Sequence, residues 1–208
     1  MAWVFIKNMT PCPTRWIHSI YLILMRNYMN CSSAMPPASS YRISQDHFYL
    51  GQCHGPAGTS RLFYVLHRIT GDAQWLEFSH SLLLGLQATG APEQRSFGMW
   101  NNVSQCCCDA GIGDYALFMY QASEDAAYLQ LALRVASELE RRAVTDDAGC
   151  RWPQAEHRAR PDFVETQTGY MQGAAGVGSF FLHLAEVLGG TPAKIVFADS
   201  PFAASRAG

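Results

Sequence analysis

No charge of one sign dominates this chain: 15 Lys and Arg stand against 17 Asp and Glu, for a formal net charge of −2. So even a balance leaves no electrostatic footprint for nucleic acid or an anionic membrane surface. A long apolar run is missing too. The longest stretch, WIHSIYLILM from Trp16 to Met25, is too short to span a bilayer and contains His and Ser, so no integral membrane segment is expected. No small-residue cleavage site is placed like that of a secretory signal, which argues against export and makes a reducing cytoplasm the expected compartment. The chain also lacks an even, regularly spaced set of cysteines. Its seven are Cys12, Cys31, Cys53, Cys106, Cys107, Cys108 and Cys150, unlike the framework of a secreted disulfide scaffold. Adjacent cysteines bridge one another only in a strained geometry. In a reducing compartment a cysteine cluster points to metal or catalysis instead.

What is present is enough apolar residue, 49% of 208, for the core of one globular domain or part of a larger one. A repeat emerges when the glycine-containing turns are aligned. CHGPAGTSRLFYVLHRITGDAQWL (Cys53 to Leu76) matches CCCDAGIGDYALFMYQASEDAAYL (Cys106 to Leu129) without a gap. Ala57 falls on Ala110, Gly58 on Gly111, Asp72 on Asp125, Trp75 on Tyr128 and Leu76 on Leu129. A third copy, MQGAAGVGSFFLHLAEVL, starts at Met171 and places Gly173 and Gly176 on Gly55 and Gly58. Self-similarity over so long a period marks stacked or ring-closed supersecondary units.

Each copy reads as two helices. SRLFYVLHRI and DYALFMYQA are apolar nearly all round, which predicts helices buried on most sides. TGD and SED then stop one helix and start the next, with Gly71 as terminator and Asp72 or Asp125 as cap. The second helices carry a more one-sided apolar stripe and are expected to form an outer layer. The fold class is therefore all-α, built from α/α hairpins with inner and outer helices. Residues 1–49 belong to no copy and are expected to be foreign to the repeat fold, which occupies 50–208. Gly90 to Val103 and Asp147 to Thr168 are expected to be long loops, the kind that often carry function.

The repeat also assembles chemistry. It sets Cys53 and Cys106 at equivalent places, each at the start of an inner helix, with His54 and Cys107 one residue later. Inner helices that share an axis would bring these residues together. Zn²⁺ takes Cys and His ligands in a tetrahedron, and three protein ligands with one open position make a catalytic site. Helix N-termini favour thiolate over thiol. Successive helical residues point ~100° apart, so at most two of Cys106, Cys107 and Cys108 suit one ion. Cys108 aligns with Gly55 and Gly173 and so reads as a small packing position.

GQCHGPAG, WNNVSQCCCDAG and GYMQGAAGVG together resemble the lanthionine synthetase C-like (LanC-like) family, over about Leu50 to Phe202. The resemblance implies an α/α toroid whose inner helices begin with Gly-rich turns, of which this chain would hold the C-terminal part. It implies Zn²⁺ held by Cys53, matching the family's first zinc cysteine, and by Cys106 and Cys107, matching an adjacent pair. That pair is Cys-His in much of the family and Cys-Cys in a branch of the related bifunctional synthetases. His54 stands where the family often has Tyr, and Cys108 where it has Gly. His54 is the main competitor for a ligand role.

The function implied is thioether formation, as in lantibiotic biosynthesis. Zinc takes a peptide cysteine thiol in its open position as thiolate. The thiolate adds to a dehydroalanine or dehydrobutyrine of the same dehydrated precursor peptide, and an acid protonates the resulting enolate. His54 is the nearest candidate acid, with a structural or second-sphere role as the alternative. RWPQAEHRARPD (Arg151 to Asp162) places Glu156 and His157 in a long loop, suited to a substrate entrance or a second acid/base pair, and equally to a solvated charged loop. Asp109 and Asp114 are the only carboxylates near the inner turns, too few for a confident glycosidase reading, and Asp109 serves as well for a helix cap. Two further alternatives remain: a truncated, inactive piece prone to self-association through its open faces, and a zinc protein that binds or conjugates a small thiol such as glutathione.

Overall fold

Where the repeat predicts helices, helices form. A computed structural model describes residues 49–95, 102–156 and 160–189, all within one compact unit of the chain. Among them are five helices: α1 (Pro56–Thr70), α2 (Gln74–Ala88), α3 (Asp109–Ser123), α4 (Ala126–Arg142) and α5 (Ala174–Leu188). Residues 1–48 lie outside the described part, and with them the expectation made for the N-terminal segment.

The boundaries follow from local chemistry. Pro56 opens α1, where its missing N–H removes one of the donors that a helix start cannot satisfy anyway. Gly71 ends α1 at φ 71°, and its N–H donates to the His67 carbonyl at 2.8 Å. Glu124, at the matching place after α3, takes the same left-handed turn at φ 59°. The following aspartates act as expected: Asp72 Oδ1 accepts from the Gln74 N–H and Asp125 Oδ1 from the Ala127 N–H, both at 2.9 Å.

The recurring glycines have a steric cause. In each entry turn the carbonyl of the residue six places earlier lies against the first turn of the helix. A Cβ at Gly58 would stand 1.9 Å from the Gln52 oxygen, one at Gly111 2.0 Å from that of Gln105, and one at Gly176 2.0 Å from that of Tyr170. No side chain fits there. Gly173, where a Cβ would stand 2.3 Å from the Gln167 oxygen, and Gly176 thus serve close packing.

α1 packs on α2, and α3 on α4, while α3 also touches α1 and α5. Ile112, Leu117 and Met119 of α3 meet a core that includes Leu131, Val135 and Leu139 of α4 and Phe180 of α5. Each such side chain contributes about 1.5–3 kcal/mol by burial. The expectation that the first helices of the first two copies are buried on most sides holds for α3 and not for α1. Leu62 on α1 is 57% exposed and Leu182 on α5 is 62% exposed. α3 has a first-helix neighbour on each side, whereas α1 and α5 each have α3 alone among the described residues.

The second long connection is more ordered than a loop. β1 (Val144–Asp146) pairs antiparallel with β2 (Gly149–Arg151), and β3 (Gln154–Ala155) with β4 (Val164–Glu165). Asp146 Oδ1 accepts from the Ala148 N–H at 3.0 Å, and Gly149 supplies φ 121° at the turn. Strands of two or three residues are too short to show alternation in a sequence, and these two very short two-stranded sheets leave the fold mostly helical, as the all-α expectation had it. The connection is anchored by Trp152, whose Nε1–H donates to the Leu139 carbonyl at 2.8 Å. Among the described residues no helix is long and apolar enough to cross a membrane.

Candidate metal centre

The three entry turns are joined in series through the backbone. The N–H groups of Gln52 and Cys53 donate to the Cys106 carbonyl at 3.0 and 3.1 Å, and the Cys106 N–H donates to the Met171 carbonyl at 3.0 Å. Cys53, Cys106 and Met171 hold the same place in the repeat, so one contact is used twice. Gly51 lets the first two turns meet, since a Cβ there would lie 2.1 Å from the Cys107 carbonyl oxygen.

This stacking converges three thiols. The Sγ atoms of Cys53, Cys106 and Cys107 all lie within 4.8 Å of one another, and those of Cys53 and Cys107 are 3.8 Å apart. Thiolates held about 2.3 Å from a zinc at tetrahedral angles stand about 3.8 Å apart. The three thiols could hold a metal ion, and the Cys53–Cys107 separation is the one two thiolates take on Zn²⁺.

The cysteines precede their helices, which corrects the expectation that they start them. Gly55 and Cys108 are the residues at the helix caps of α1 and α3. In the turn, the Cys107 N–H donates to Ser104 Oγ at 3.1 Å, and the Ser104 N–H to Asn102 Oδ1 at 2.7 Å. Asn102 thus sets the turn by a side chain to backbone hydrogen bond; Trp100 and Asn101 lie outside the described residues. Cys108 is fully buried and takes no part in the cluster. Its φ of −146° is open to any residue, whereas a Cβ at Gly55 would lie 2.4 Å from the Leu50 carbonyl carbon and one at Gly173 2.3 Å from the Gln167 oxygen.

Burial outweighs the helix starts in setting thiol acidity without metal. It is the largest cause that raises the Cys53 thiol, with Cys107 adding to it. Burial likewise pushes Cys106 up to about 12, helped by the charge of Cys107, and holds Cys108 well above its ordinary value. The expected gain of thiolate character is therefore not found at Cys53 or Cys106. Metal uptake at such a site releases protons.

The chain matches no family model and no curated protein.

His54 stands outside the three-thiol cluster. It is exposed, with its ring centroid 5.5 Å from that of Tyr49, and it helps line an open cavity of about 560 Å³ with Gln52, Cys53, Thr59, Arg61 and Leu62. His157 lies outside the described residues. Glu156 beside it is exposed and accepts a hydrogen bond from Gln167 Nε2.

Several polar groups near the centre escaped the sequence reading. Gln172 Nε2 is 3.8 Å from Cys107 Sγ. Gln105, next to Cys106, donates from Nε2 to Asp114 Oδ2 at 2.9 Å, and His183 Nδ1 lies 2.6 Å from Asp114 Oδ1. Asp109 is not a helix cap. It is fully buried, and its Oδ2 takes Arg95 Nη2 at 3.2 Å and Arg142 Nη1 at 3.1 Å. Burial pushes its carboxyl up to about 6 against the pull of both arginines. Each arginine also donates to the Asn102 carbonyl at 3.0 Å, tying the start of α3 to the strand of chain that leads into the cysteines. With these partners, Asp109 and Asp114 are committed, and the pair offers no support for a glycosidase.

Proposed function

We propose that this protein is a zinc-dependent thiol-activating enzyme of the LanC-like kind, which joins a peptide cysteine to a dehydroalanine or dehydrobutyrine as a thioether. The observation that carries the reading is the three-thiol cluster, in which Cys53 and Cys107 stand at the spacing of two thiolates on one tetrahedral zinc. Cys53, Cys106 and Cys107 would hold the ion. A zinc held by these three residues would supply Lewis acidity that stabilises a substrate thiol as thiolate at neutral pH.

The chain's own residues complete the site. The serial bonds from Cys53 to Cys106 and from Cys106 to Met171 keep the turns in register. The cavity beside Cys53 receives the substrate, with His54 in its wall as the group that hands a proton to the enolate carbon. An α/α toroid fits the same reading: α1, α3 and α5 contact in order, and the exposed apolar residues at α1 and α5 are where further hairpins, or a second copy, would pack.

The size of the cavity favours a second reading, conjugation of a small thiol such as glutathione. One experiment separates the two. The purified chain is expected to carry about one zinc, lost in Cys53→Ala and Cys107→Ala. It is then incubated with a peptide holding one cysteine and one dehydroalanine, and free thiol is counted by alkylation and mass spectrometry. Loss of free thiol without change of mass supports cyclisation; a mass gain of one glutathione when that thiol is added supports conjugation. Absence of bound zinc sinks both.

A further inference from the structure

The repeat sets His54, Cys107 and Gln172 at one equivalent place, each following the residue through which the entry turns are bonded. In the third turn the backbone on both sides of this place is fixed. The Met171 carbonyl takes the Cys106 N–H at 3.0 Å. The Gln172 carbonyl takes Gln154 Nε2, and Gln154 Oε1 in turn takes the Val103 N–H at 3.2 Å. Gln154 is buried, so one side chain clamps the third turn to the stretch that leads into the cysteines. Pinned in this way, Gln172 directs its amide at the cluster, with Nε2 3.8 Å from Cys107 Sγ.

From this geometry we infer that Gln172 is a positioning residue for the metal: its amide N–H holds the Cys107 sulfur in ligand geometry and offsets its charge. The inference rests on the metal reading above. Three thiolates around one Zn²⁺ leave a net charge of −1, so the sulfurs repel one another in a partly buried turn. A neutral amide donor disperses that charge without competing for the ion or adding a positive charge that would draw the substrate sulfur away. Partners outside the ligand set typically change metal affinity by about 10- to 100-fold when removed.

Cobalt tests this, because its thiolate charge-transfer band reports the energy of the sulfur lone pairs. The full chain, stripped and titrated with Co²⁺ against a competing chelator, is compared with Gln172→Met, which keeps length and bulk but donates nothing. Gln172→Met is expected to bind Co²⁺ about 10-fold more weakly, with the band moved to longer wavelength, while the metal-free protein melts as the wild type does. Gln172→Glu has the shape of glutamine but sets a carboxylate against the sulfur, and should weaken binding at least as far. It stands as the second test should Gln172→Met fail to fold. Wild-type affinity and an unshifted band in either folded variant overturn the inference. A wild-type chain that takes up no cobalt is a different result, and overturns the metal reading itself.

Discussion

Cys107 and Cys108 are neighbours in sequence with opposite surroundings. Cys107 lies in the turn with its sulfur toward Cys53, while Cys108 is fully buried at a place where the other copies have glycine. Cys108→Ala should therefore keep full metal content and lower stability by only about 1 kcal/mol, the cost of a small buried cavity. Metal analysis and urea unfolding on the same sample check both halves, and loss of metal would show that Cys108 belongs to the site. Glu138 offers a residue-scale test of pH dependence. Burial alone would raise its carboxyl, but Arg141, Arg95 and Arg142 hold it below its ordinary 4.5. A carboxylate so depressed stabilises the fold above about pH 4.5, and its contribution fades as pH falls through the lower folded value. Asp109 works in the other direction, since its raised carboxyl relieves strain as pH falls below about 6. The difference between wild type and Glu138→Gln isolates the first effect. It should be about 1–2 kcal/mol and flat at neutral pH, then shrink below pH 4.5 in denaturant titrations. A gap that widens with acid would contradict the ion-pair account.

At the scale of the element, the entry turn is the unit that repeats. A glycine in it tolerates less than one in a helix body. A Cβ at Gly111 meets the Gln105 carbonyl oxygen at 2.0 Å, and Gln105 adjoins Cys106. Gly111→Ala should cost about 1–3 kcal/mol and weaken metal binding by pushing that carbonyl aside. Gly178, inside α5, has nothing within 4 Å of an added Cβ. Gly178→Ala should gain about 0.5–1 kcal/mol and leave metal binding alone. Urea midpoints read the two signs directly, and equal effects would mean that the turn is not the constraint. Much of this level was legible in the sequence because its causes are local and recur in register: the glycines at the helix entries, Asp72 and Asp125 between helices, and the aligned cysteines. The strands β1 to β4 were not legible, being too short for alternation to register. Nor were the pairings of Asp109 with Arg95 and Arg142, or of Asp114 with Gln105 and His183, because they join separate stretches of chain with no periodic signal. Gln172 sat in the alignment opposite His54 and Cys107, but an amide carries no ligand signature, so its role needed coordinates.

For the molecule as a whole, the candidate ligands come from two hairpins that are unequally bound. α3 packs extensively on α4, and α5 lies on α3, whereas α1 meets α3 over few residues. The α1–α2 hairpin is joined to the rest through its entry turn, by the bonds to the Cys106 carbonyl and by the approach of Cys53 to Cys107, and otherwise by few polar links, among them Tyr115 Oη to Ser60 Oγ and His80 to Asp125. An ion held by all three sulfurs would cross-link this weaker joint. Its removal should then act locally before it acts globally. Hydrogen–deuterium exchange after chelation is expected to quicken in α1 and α2, where opening needs only the joint to part, while α3 and α4 keep their protection. Readdition of zinc should restore the slow exchange, by the ordinary linkage of a ligand that binds only the closed form. Uniform acceleration across α1 to α4 would instead mean that the hairpins open as one unit and that the metal braces the whole fold.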